Sequence, residues 1–247
     1  MKADPFAQLK LLDVQELDTR LGQLQHKLAT MPQVAELEAL VRARTEVADQ
    51  ARDVQIRVDD LTRDQKRADA DVEQVKARRT RDKDRIEQGL ITNPKDLERM
   101  QHEMVSLERR ITELEDAELE VMEQLETAQG ELESLQRRLT EVDEKIAATS
   151  QSRDEVAGQV DAQLVEVAEE RKQTASGMPE DLIALYTRLR EQKGGVGAAA
   201  LRARRCSGCS LELNAADLAV IAKTPVDVVV RCEECSRILV RTSESGI

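Results

Sequence analysis

The chain has 247 residues, of which 35% are charged and only 1% are aromatic. Aromatic rings supply much of a globular core and stack the bases in many RNA-binding folds, so this composition argues against a globular α/β enzyme and against those RNA-binding modules. The net charge of −12 argues against general attraction to a phosphate backbone. No apolar run reaches the roughly 20 residues of a membrane span, and the first residues lack the apolar segment of a signal peptide. We therefore expect a cytoplasmic protein.

Residues 1–175 are predicted to form a coiled-coil arm, because apolar residues recur there at alternating steps of three and four. The first seam runs over Val14, Leu17, Leu21, Leu24 and Leu28. A second and less regular seam includes Val34, Leu37, Val41, Ala48, Ala51, Val54, Val58, Leu61, Ala68, Val72, Val75 and Ile86. Its two consecutive steps of three, from Ala48 to Val54, predict a local change in winding.

A turn is predicted at residues 89–96, with the sequence GLITNPKD. Gly89 is a typical helix stop, Asn93 fits an N-cap, and Pro94 fits the first position of the next helix. The next helix carries a third seam, in which fourteen of fifteen positions are apolar and only Glu118 is not. Those positions are Leu97, Met100, Met104, Leu107, Ile111, Leu114, Glu118, Val121, Leu125, Ala128, Leu132, Leu135, Leu139, Val142 and Ile146.

The fold class predicted from these seams is mainly α, a long kinked antiparallel coiled-coil hairpin followed by a small C-terminal four-cysteine zinc ribbon. A short turn normally returns a helix alongside its predecessor; the alternative is that each helix dimerises in parallel with a second chain. Met31-Pro32 and the polar stretch 149–158 lie at similar distances from the turn, so kinks are predicted near 31–33 and 149–158. Pro179 and Gly194-Gly195 bound a connecting helix within residues 176–193. Its apolar face is expected to pack against the base of the hairpin.

The last segment, residues 194–247, contains two C-x-x-C motifs, Cys206–Cys209 and Cys232–Cys235. Two such motifs from distant chain positions supply the four thiolates that a tetrahedral zinc ion requires, and a filled shell leaves no open position for catalysis. One structural Zn²⁺ is therefore predicted, with a redox pair or an iron–sulfur cluster as alternatives. Residues 214–223 are predicted to be helical. Strands are predicted at 196–205, before Cys232 and after Cys235.

The combination resembles a bacterial family of C4-type zinc-ribbon proteins, a long coiled-coil hairpin followed by a C-terminal zinc ribbon, formerly catalogued as a domain of unknown function. The resemblance rests on residues 92–97 (TNPKDL), on Leu114-Glu115-Asp116, and on the order of Tyr186, Gly195 and the two cysteine motifs. It implies Cys206, Cys209, Cys232 and Cys235 as zinc ligands. It also implies protein partners, including transcription or secretion machinery, and in some members RNA. Relatives commonly carry an aromatic residue where this chain has Leu97.

Nucleic-acid binding is the alternative to an adaptor role. Residues 194–247 hold seven Lys/Arg and six Asp/Glu, a sum of +1, so the acidic charge lies in the arm. Arginines of the ribbon could contact phosphate or could balance the zinc thiolates. Arginines near the turn could contact nucleic acid or could form ion pairs with the returning helix. The candidates are Arg202, Arg204, Arg205, Arg231 and Arg237 in the ribbon and Arg78, Arg79 and Arg81 near the turn.

An enzyme is not expected. The two histidines, His26 and His102, would lie at different distances from the turn of an antiparallel hairpin, and the sequence contains no Gly-rich phosphate loop or nucleophile elbow. The leading hypothesis is a non-enzymatic adaptor or regulatory protein, which binds protein partners through the coiled coil and protein or nucleic acid through the ribbon, without a membrane. Apolar side chains on the outer faces could also bind a second copy, so monomer and dimer both stay open.

Overall fold

A computed structural model describes residues 1–247, and it confirms the predicted class of a helical hairpin with a four-cysteine ribbon. The helices are α1 (Pro5–Ala29), α2 (Pro32–Glu87), α3 (Pro94–Ala175), α4 (Glu180–Gln192) and α5 (Ala215–Lys223). The strands are β1 (Ala198–Arg202), β2 (Arg205–Cys206), β3 (Val230–Arg231) and β4 (Ile238–Arg241). The chain divides into two compact units: residues 35–150, and residues 1–34 with 151–247. None of the helices has a stretch both long and apolar enough to cross a bilayer.

The unit of residues 35–150 is an antiparallel pair formed by α2 and the first part of α3. Ion pairs across the two helices establish the direction, because the partner's number falls as the residue number rises: Arg44 with Asp143 at 2.5 Å, Lys76 with Glu115 at 2.8 Å, and Arg79 with Glu108 at 3.4 Å. The parallel two-chain arrangement is not needed to cover these seams.

The seam of this unit is a narrow coiled-coil core. Every one of the fifteen seam positions predicted on α3 is buried or half-buried, including Glu118. On α2 the sequence prediction was wrong at three positions: Val34 and Val41 are exposed, and Val47 is buried where Ala48 is only partly so. The buried order is Val47, Ala51, Val54 and Val58, with steps of four, three and four. The larger valine displaces alanine from the core, and the expected change in winding is not required.

The turn between α2 and α3 follows ordinary capping chemistry. α2 ends at Glu87, and Gly89 takes a positive φ of 65°, a conformation that favours glycine. The Asn93 side chain accepts a hydrogen bond from the amide of Lys95 at 3.1 Å, and α3 begins at Pro94. α1 and α2 are separated by Thr30 and Met31, whereas α3 is one uninterrupted helix through residues 149–158. The bend proposed for that part of α3 stays a prediction.

The other unit contains α1, the last part of α3, α4 and the ribbon. α1 packs on the last part of α3 through Leu17, Leu24, Val160 and Val167. α4 then packs against α1 and the sheet, and its buried residues Leu182, Tyr186 and Leu189 form the predicted apolar face. The connecting helix therefore packs against the base of the hairpin, as expected.

The sheet of the ribbon has the strand order β2-β1-β4-β3. β1 is parallel to β4 and antiparallel to β2, and β3 is antiparallel to β4. Side chains alternate between the two faces of a strand, so Ala198, Ile238 and Val240 lie in the core shared with α1 and α4. Ala199, Leu201 and Leu239 lie instead in the core that contains the cysteines. The sheet is thus covered on both faces.

Residues 1–3 add a short extended segment beside the ribbon that the sequence did not predict. The amide of Ala3 donates to the carbonyl of Asp227 at 2.7 Å, and the amide of Val229 donates to that of Met1 at 3.1 Å. Lys2 also forms an ion pair with Asp227 at 2.9 Å, and that pair lowers the pKa of the Asp227 carboxyl. The strand predicted before Cys232 is shorter than the run of valines there: only Val230–Arg231 form a regular strand, and Val226 is exposed outside it.

Candidate metal centre

The four cysteines are presented by two turns of the same construction. Cys206 ends β2 and Cys232 follows β3, and each is followed three residues later by the second cysteine of its motif. The residue after each second cysteine is a serine in the left-handed region, Ser210 at φ 62° and Ser236 at φ 63°. The amide of each serine donates to the carbonyl of the first cysteine, at 2.8 Å and 2.7 Å respectively. Each turn therefore aims two thiols towards one point.

The sulfur positions fit one tetrahedral zinc ion. All four Sγ atoms lie within 4.8 Å of one another. Cys206 and Cys235 are 3.9 Å apart at sulfur, and so are Cys209 and Cys232. A tetrahedron with Zn–S bonds of about 2.3 Å has edges of about 3.8 Å, whereas a disulfide would require about 2.05 Å. The four cysteines are therefore a C4 site for one Zn²⁺, and none of them forms a disulfide.

The surroundings tune the thiols differently. Burial raises the pKa of the Cys206 thiol to about 12 and also raises the pKa of the Cys232 thiol. Burial acts in the same direction on Cys235, but hydrogen bonds from the backbone and side chain of Arg237 outweigh it and lower the pKa of that thiol to about 7. When zinc binds it takes thiolates, so the protons on the buried thiols leave with metal binding. These four sulfurs alone would bind the metal.

The centre is walled by apolar side chains rather than by other metal-binding groups. Cys206 and Cys232 are buried in a cluster with Leu213, Leu218 and Ile221. The helix α5 that supplies two of those side chains starts where the sequence predicted, with the Asn214 side chain accepting from the amide of Asp217 at 2.9 Å. A Zn(Cys)₄ site and this small cluster together replace the larger core that so short a segment lacks.

Three of the arginines proposed as nucleic-acid ligands lie at the β1–β2 connection. Arg202 and Arg205 form ion pairs with Glu244 at 3.2 Å and Glu212 at 3.5 Å, and all four side chains are more than half exposed. Arg204, with φ 66°, donates to a backbone carbonyl near the C-terminus at 3.2 Å. Exposed pairs of this type contribute little to stability. Because the three arginine side chains are exposed, an anion could approach them.

The other two ribbon arginines are engaged by the backbone. Arg231 donates to the carbonyl of Ser236 at 2.8 Å. The guanidinium of Arg237 is partly buried and donates to the carbonyls of Lys193 at 2.8 Å, Val196 at 2.9 Å and Gly208 at 3.1 Å. A phosphate would have to compete with these backbone contacts. Arg237 is therefore placed as a structural group.

The arginines near the turn belong to the other unit, residues 35–150. Arg78 pairs with Glu103 and Arg79 pairs with Glu108 on α3. Arg81 is exposed. Arg78 and Arg79 therefore form the ion pairs with the returning helix that were the alternative to nucleic-acid contact.

The strongest polar cluster was missed in the sequence. The Asp18 side chain is only 1% exposed, and its carboxylate accepts hydrogen bonds from Arg171, Arg190 and Tyr186. Its distances to Arg171 are 2.9 and 3.2 Å, and to the Tyr186 hydroxyl 2.7 Å. The available signal was an acid beside Leu17 on the apolar face of α1. Its partners lie more than 150 residues away in sequence, which no local pattern identifies.

The two parts of the chain match two family models. Residues 14–194 match the CT398-like coiled coil hairpin domain, and residues 205–239 match the C4-type zinc ribbon domain. An uncharacterized protein of Mycobacterium tuberculosis is 33% identical over 241 residues, which cover 98% of each chain. An uncharacterized protein of Mycobacterium leprae is 25% identical over 223 residues, covering 90% of this chain and 95% of the relative.

Solved structures have the same fold. A protein from Mycobacterium smegmatis is 31% identical with a TM-score of 0.83, and the match covers 98% of this chain and 100% of that one. CT398 from Chlamydia trachomatis is 20% identical with a TM-score of 0.66, over 96% of this chain and 98% of its own. The hairpin match alone spans most of the chain, and the C4 site lies where the second match places a zinc ribbon. The chain belongs to the family of CT398-like coiled-coil hairpin proteins, with a C4-type zinc ribbon after the hairpin.

Proposed function

We propose that this protein is a non-enzymatic adaptor of the bacterial cytoplasm. Its coiled-coil hairpin binds protein partners, and its zinc ribbon binds protein or nucleic acid. The observation that carries the proposal is that the ribbon sheet and the base of the hairpin share one buried core, formed by residues of α1, α4, β1 and β4. Such a core supports a ribbon held in a fixed position on α1 and α4.

The chemistry of the metal centre supports a structural role for zinc. Four sulfurs fill the tetrahedral shell, so no coordination position is left for water or substrate. Catalytic zinc normally keeps such a position open. On this proposal the metal stabilises the ribbon, and the ribbon surface performs the binding.

The helices of residues 35–150 offer a surface suited to protein contact. Charged side chains dominate it, and large apolar side chains are exposed among them, including Val41, Ile56, Val105, Leu119 and Met122. Exposed apolar side chains framed by charge are common at protein interfaces. The net acidic charge of this part of the chain favours a protein over a nucleic acid there.

The adaptor proposal is tested by photo-crosslinking in living cells. A photoreactive amino acid replaces exposed Gln124 on α3 or exposed Ala216 on α5, and captured proteins and RNA are identified by mass spectrometry and sequencing. We expect the same discrete protein to be captured repeatedly from one of these positions, and untagged full-length protein to compete with the capture. Adducts that form a diffuse background from both positions would contradict the proposal.

A second candidate is nucleic-acid binding by the ribbon, favoured by the placement of Arg202, Arg204 and Arg205 in one tight turn. If all three contact phosphate in single-stranded RNA, their replacement by alanine reduces the slope of log affinity against log salt by about 2. The matched control replaces three exposed arginines of α3 by alanine: Arg109, Arg137 and Arg138. Fluorescence anisotropy with labelled RNA at several salt concentrations measures both slopes. Equal slopes in the two triple variants would refute specific contact by the ribbon.

A further inference from the structure

The segment that connects α4 to β1 is held by two side chains rather than by regular secondary structure. It covers residues 193–197, between Gln192 and Ala198. Gly194 and Gly195 both have positive φ, at 69° and 91°, so this segment leaves the helix in a conformation that most residues avoid. Its backbone polar groups are bound by Gln15 from α1 and by Arg237 from the ribbon. Two backbone hydrogen bonds add to these, from Gly195 to the carbonyl of Arg190 and from Ile238 to the carbonyl of Gly197.

Arg237 bridges this segment to the first zinc turn. Nη2 donates to the carbonyl of Lys193 at 2.8 Å and Nε donates to that of Val196 at 2.9 Å. Nη1 donates to the carbonyl of Gly208 at 3.1 Å. Gly208 stands between Cys206 and Cys209, so one planar guanidinium joins the backbone between two zinc ligands to the exit of α4. A lysine has one ammonium group and no such fork, and it does not reproduce the three contacts.

Gln15 holds the same segment from the opposite side. Its Oε1 accepts from the amides of Gly197 at 2.7 Å and Ala198 at 3.3 Å, and its Nε2 donates to the carbonyl of Gly195 at 2.9 Å. Gln15 is 8% exposed, so these bonds form away from water. Residues 193–197 are therefore connected to α1 on one side and to the zinc turn on the other.

The sequence leaves room for this arrangement at two glycines. A Cβ at position 208 would lie 2.9 Å from Cδ of Arg237 and 2.9 Å from Cβ of Ala199. A Cβ at position 197 would lie 2.6 Å from the carbonyl oxygen of Tyr186. The glycine inside the first cysteine motif thus allows Arg237 to lie against the zinc turn, and the glycine before β1 allows the segment to lie against α4.

We propose that Arg237 is a positioning residue that couples the zinc centre to the base of the hairpin. The zinc turn fixes the carbonyl of Gly208, Arg237 carries that constraint to Lys193 and Val196, and Gln15 carries it to α1. When zinc leaves, Arg237 loses a fixed partner, so the carbonyls of Lys193 and Val196 are held less firmly, while Gly197 keeps its backbone hydrogen bond from Ile238. Loss of zinc therefore weakens the constraints on α1 and α4, the helices that begin and end the hairpin base. Coupling of this kind is reciprocal, so loosening the segment also weakens zinc retention.

The test compares full-length protein with Arg237→Lys, with Arg202→Lys as the matched control, because Arg202 pairs with an exposed glutamate away from the segment. Hydrogen exchange measured by mass spectrometry follows the amides of residues 190–200, and a colorimetric chelator follows the rate of zinc release. We expect Arg237→Lys with zinc bound to exchange about tenfold faster there and to release zinc several-fold faster. Because Arg237 also hydrogen-bonds the Cys235 thiol, the exchange of residues 190–200 is the measurement that tests the coupling in this variant. Adding a chelator should accelerate exchange about tenfold in the unsubstituted protein and less than threefold further in Arg237→Lys.

A second variant keeps the proposal testable if Arg237→Lys folds poorly. Gln15→Met removes the hydrogen bonds on the α1 side while keeping the side-chain volume, and it should accelerate both exchange of residues 193–197 and zinc release. Three results would overturn the coupling. Chelation could leave the exchange of residues 193–197 unchanged in the unsubstituted protein. It could accelerate exchange equally in that protein and in Arg237→Lys. Gln15→Met could change exchange without any effect on zinc release.

Discussion

Replacing Asp18 by asparagine should destabilise the base of the hairpin strongly. The carboxylate joins three helices, because it lies on α1 and accepts from Arg171 on α3 and from Arg190 and Tyr186 on α4. Each oxygen accepts two of the four hydrogen bonds. The asparagine amide keeps the shape and one oxygen, so two donors lose their acceptor and face an NH₂ group instead.

The magnitude follows from the exposure of the partners. A hydrogen bond to a charged group contributes about 1.5–3 kcal/mol. Arg171 and Arg190 retain side-chain exposures of 27% and 34%, so water partly compensates and the low end applies. Two lost bonds then cost about 3 kcal/mol, at the lower limit for breaking a buried ion pair. With an m-value of about 2 kcal/mol/M, the urea midpoint falls by about 1.5 M.

The assay uses the protein's own fluorescence. The chain has one tyrosine and no tryptophan, and that tyrosine, Tyr186, is fully buried in this core, so its emission reports the unfolding of the unit that contains Asp18. The matched control is Asp13→Asn, an exposed acid on the same helix, for which the free energy of unfolding should change by less than about 0.5 kcal/mol. If the two variants shift the midpoint equally, the four hydrogen bonds do not stabilise the fold and the reasoning is wrong.

Three further predictions concern the same unit. Burial raises the pKa of the Tyr186 hydroxyl far above its usual value, so the folded state keeps the phenol protonated while the unfolded state ionises above about pH 10. The free energy of unfolding should therefore fall as the pH rises from that point, and it should fall by less in Tyr186→Phe. Urea midpoints at pH 8 and 10.5 test this. Removal of zinc by a chelator should loosen the two cysteine turns and α5 while the sheet stays packed on α1 and α4, with a loss of far-ultraviolet helical signal no larger than the 9 residues of α5 provide. A larger loss would mean that the metal also maintains the hairpin. Gly197→Ala should cost about 1–3 kcal/mol through overpacking against Tyr186, whereas Gly22→Ala, on open helix surface, should be neutral or stabilising, and equal urea midpoints would refute the close approach.

The coiled coil was readable from the sequence because its core is periodic. A helix that buries one narrow stripe must repeat apolar residues at steps averaging 3.5, and α3 keeps that repeat over its fifteen predicted positions. The zinc centre was readable for a related reason: the C-x-x-C spacing is a local property of two turns, and the structure brings the sulfurs of Cys206 and Cys235 to 3.9 Å. Both features are encoded by residues close in sequence.

The features that the sequence did not reveal depend on contacts between distant segments. Val47 and Ala48 are adjacent, and the choice of the buried one depends on the side chains of α3 opposite them. Arg237 is one of several arginines in the ribbon, and only the positions of Lys193, Val196 and Gly208 separate it from Arg202. The extended residues 1–3 carry no pattern of their own, because their partners lie at 227–229.

The two-sided sheet explains how so small a ribbon is stabilised and why its position on the hairpin is fixed. One face, with Ala199, Leu201 and Leu239, packs towards the cysteines and α5. The other face, with Ile238 and Val240, packs on the core of α1 and α4. The cysteines and α5 cover only the first face, so separating the ribbon from the hairpin base would expose the apolar surface of the second face to water. That cost opposes free motion of the ribbon on α1 and α4. Metal binding on one face of the sheet can therefore affect the helices packed on the other face.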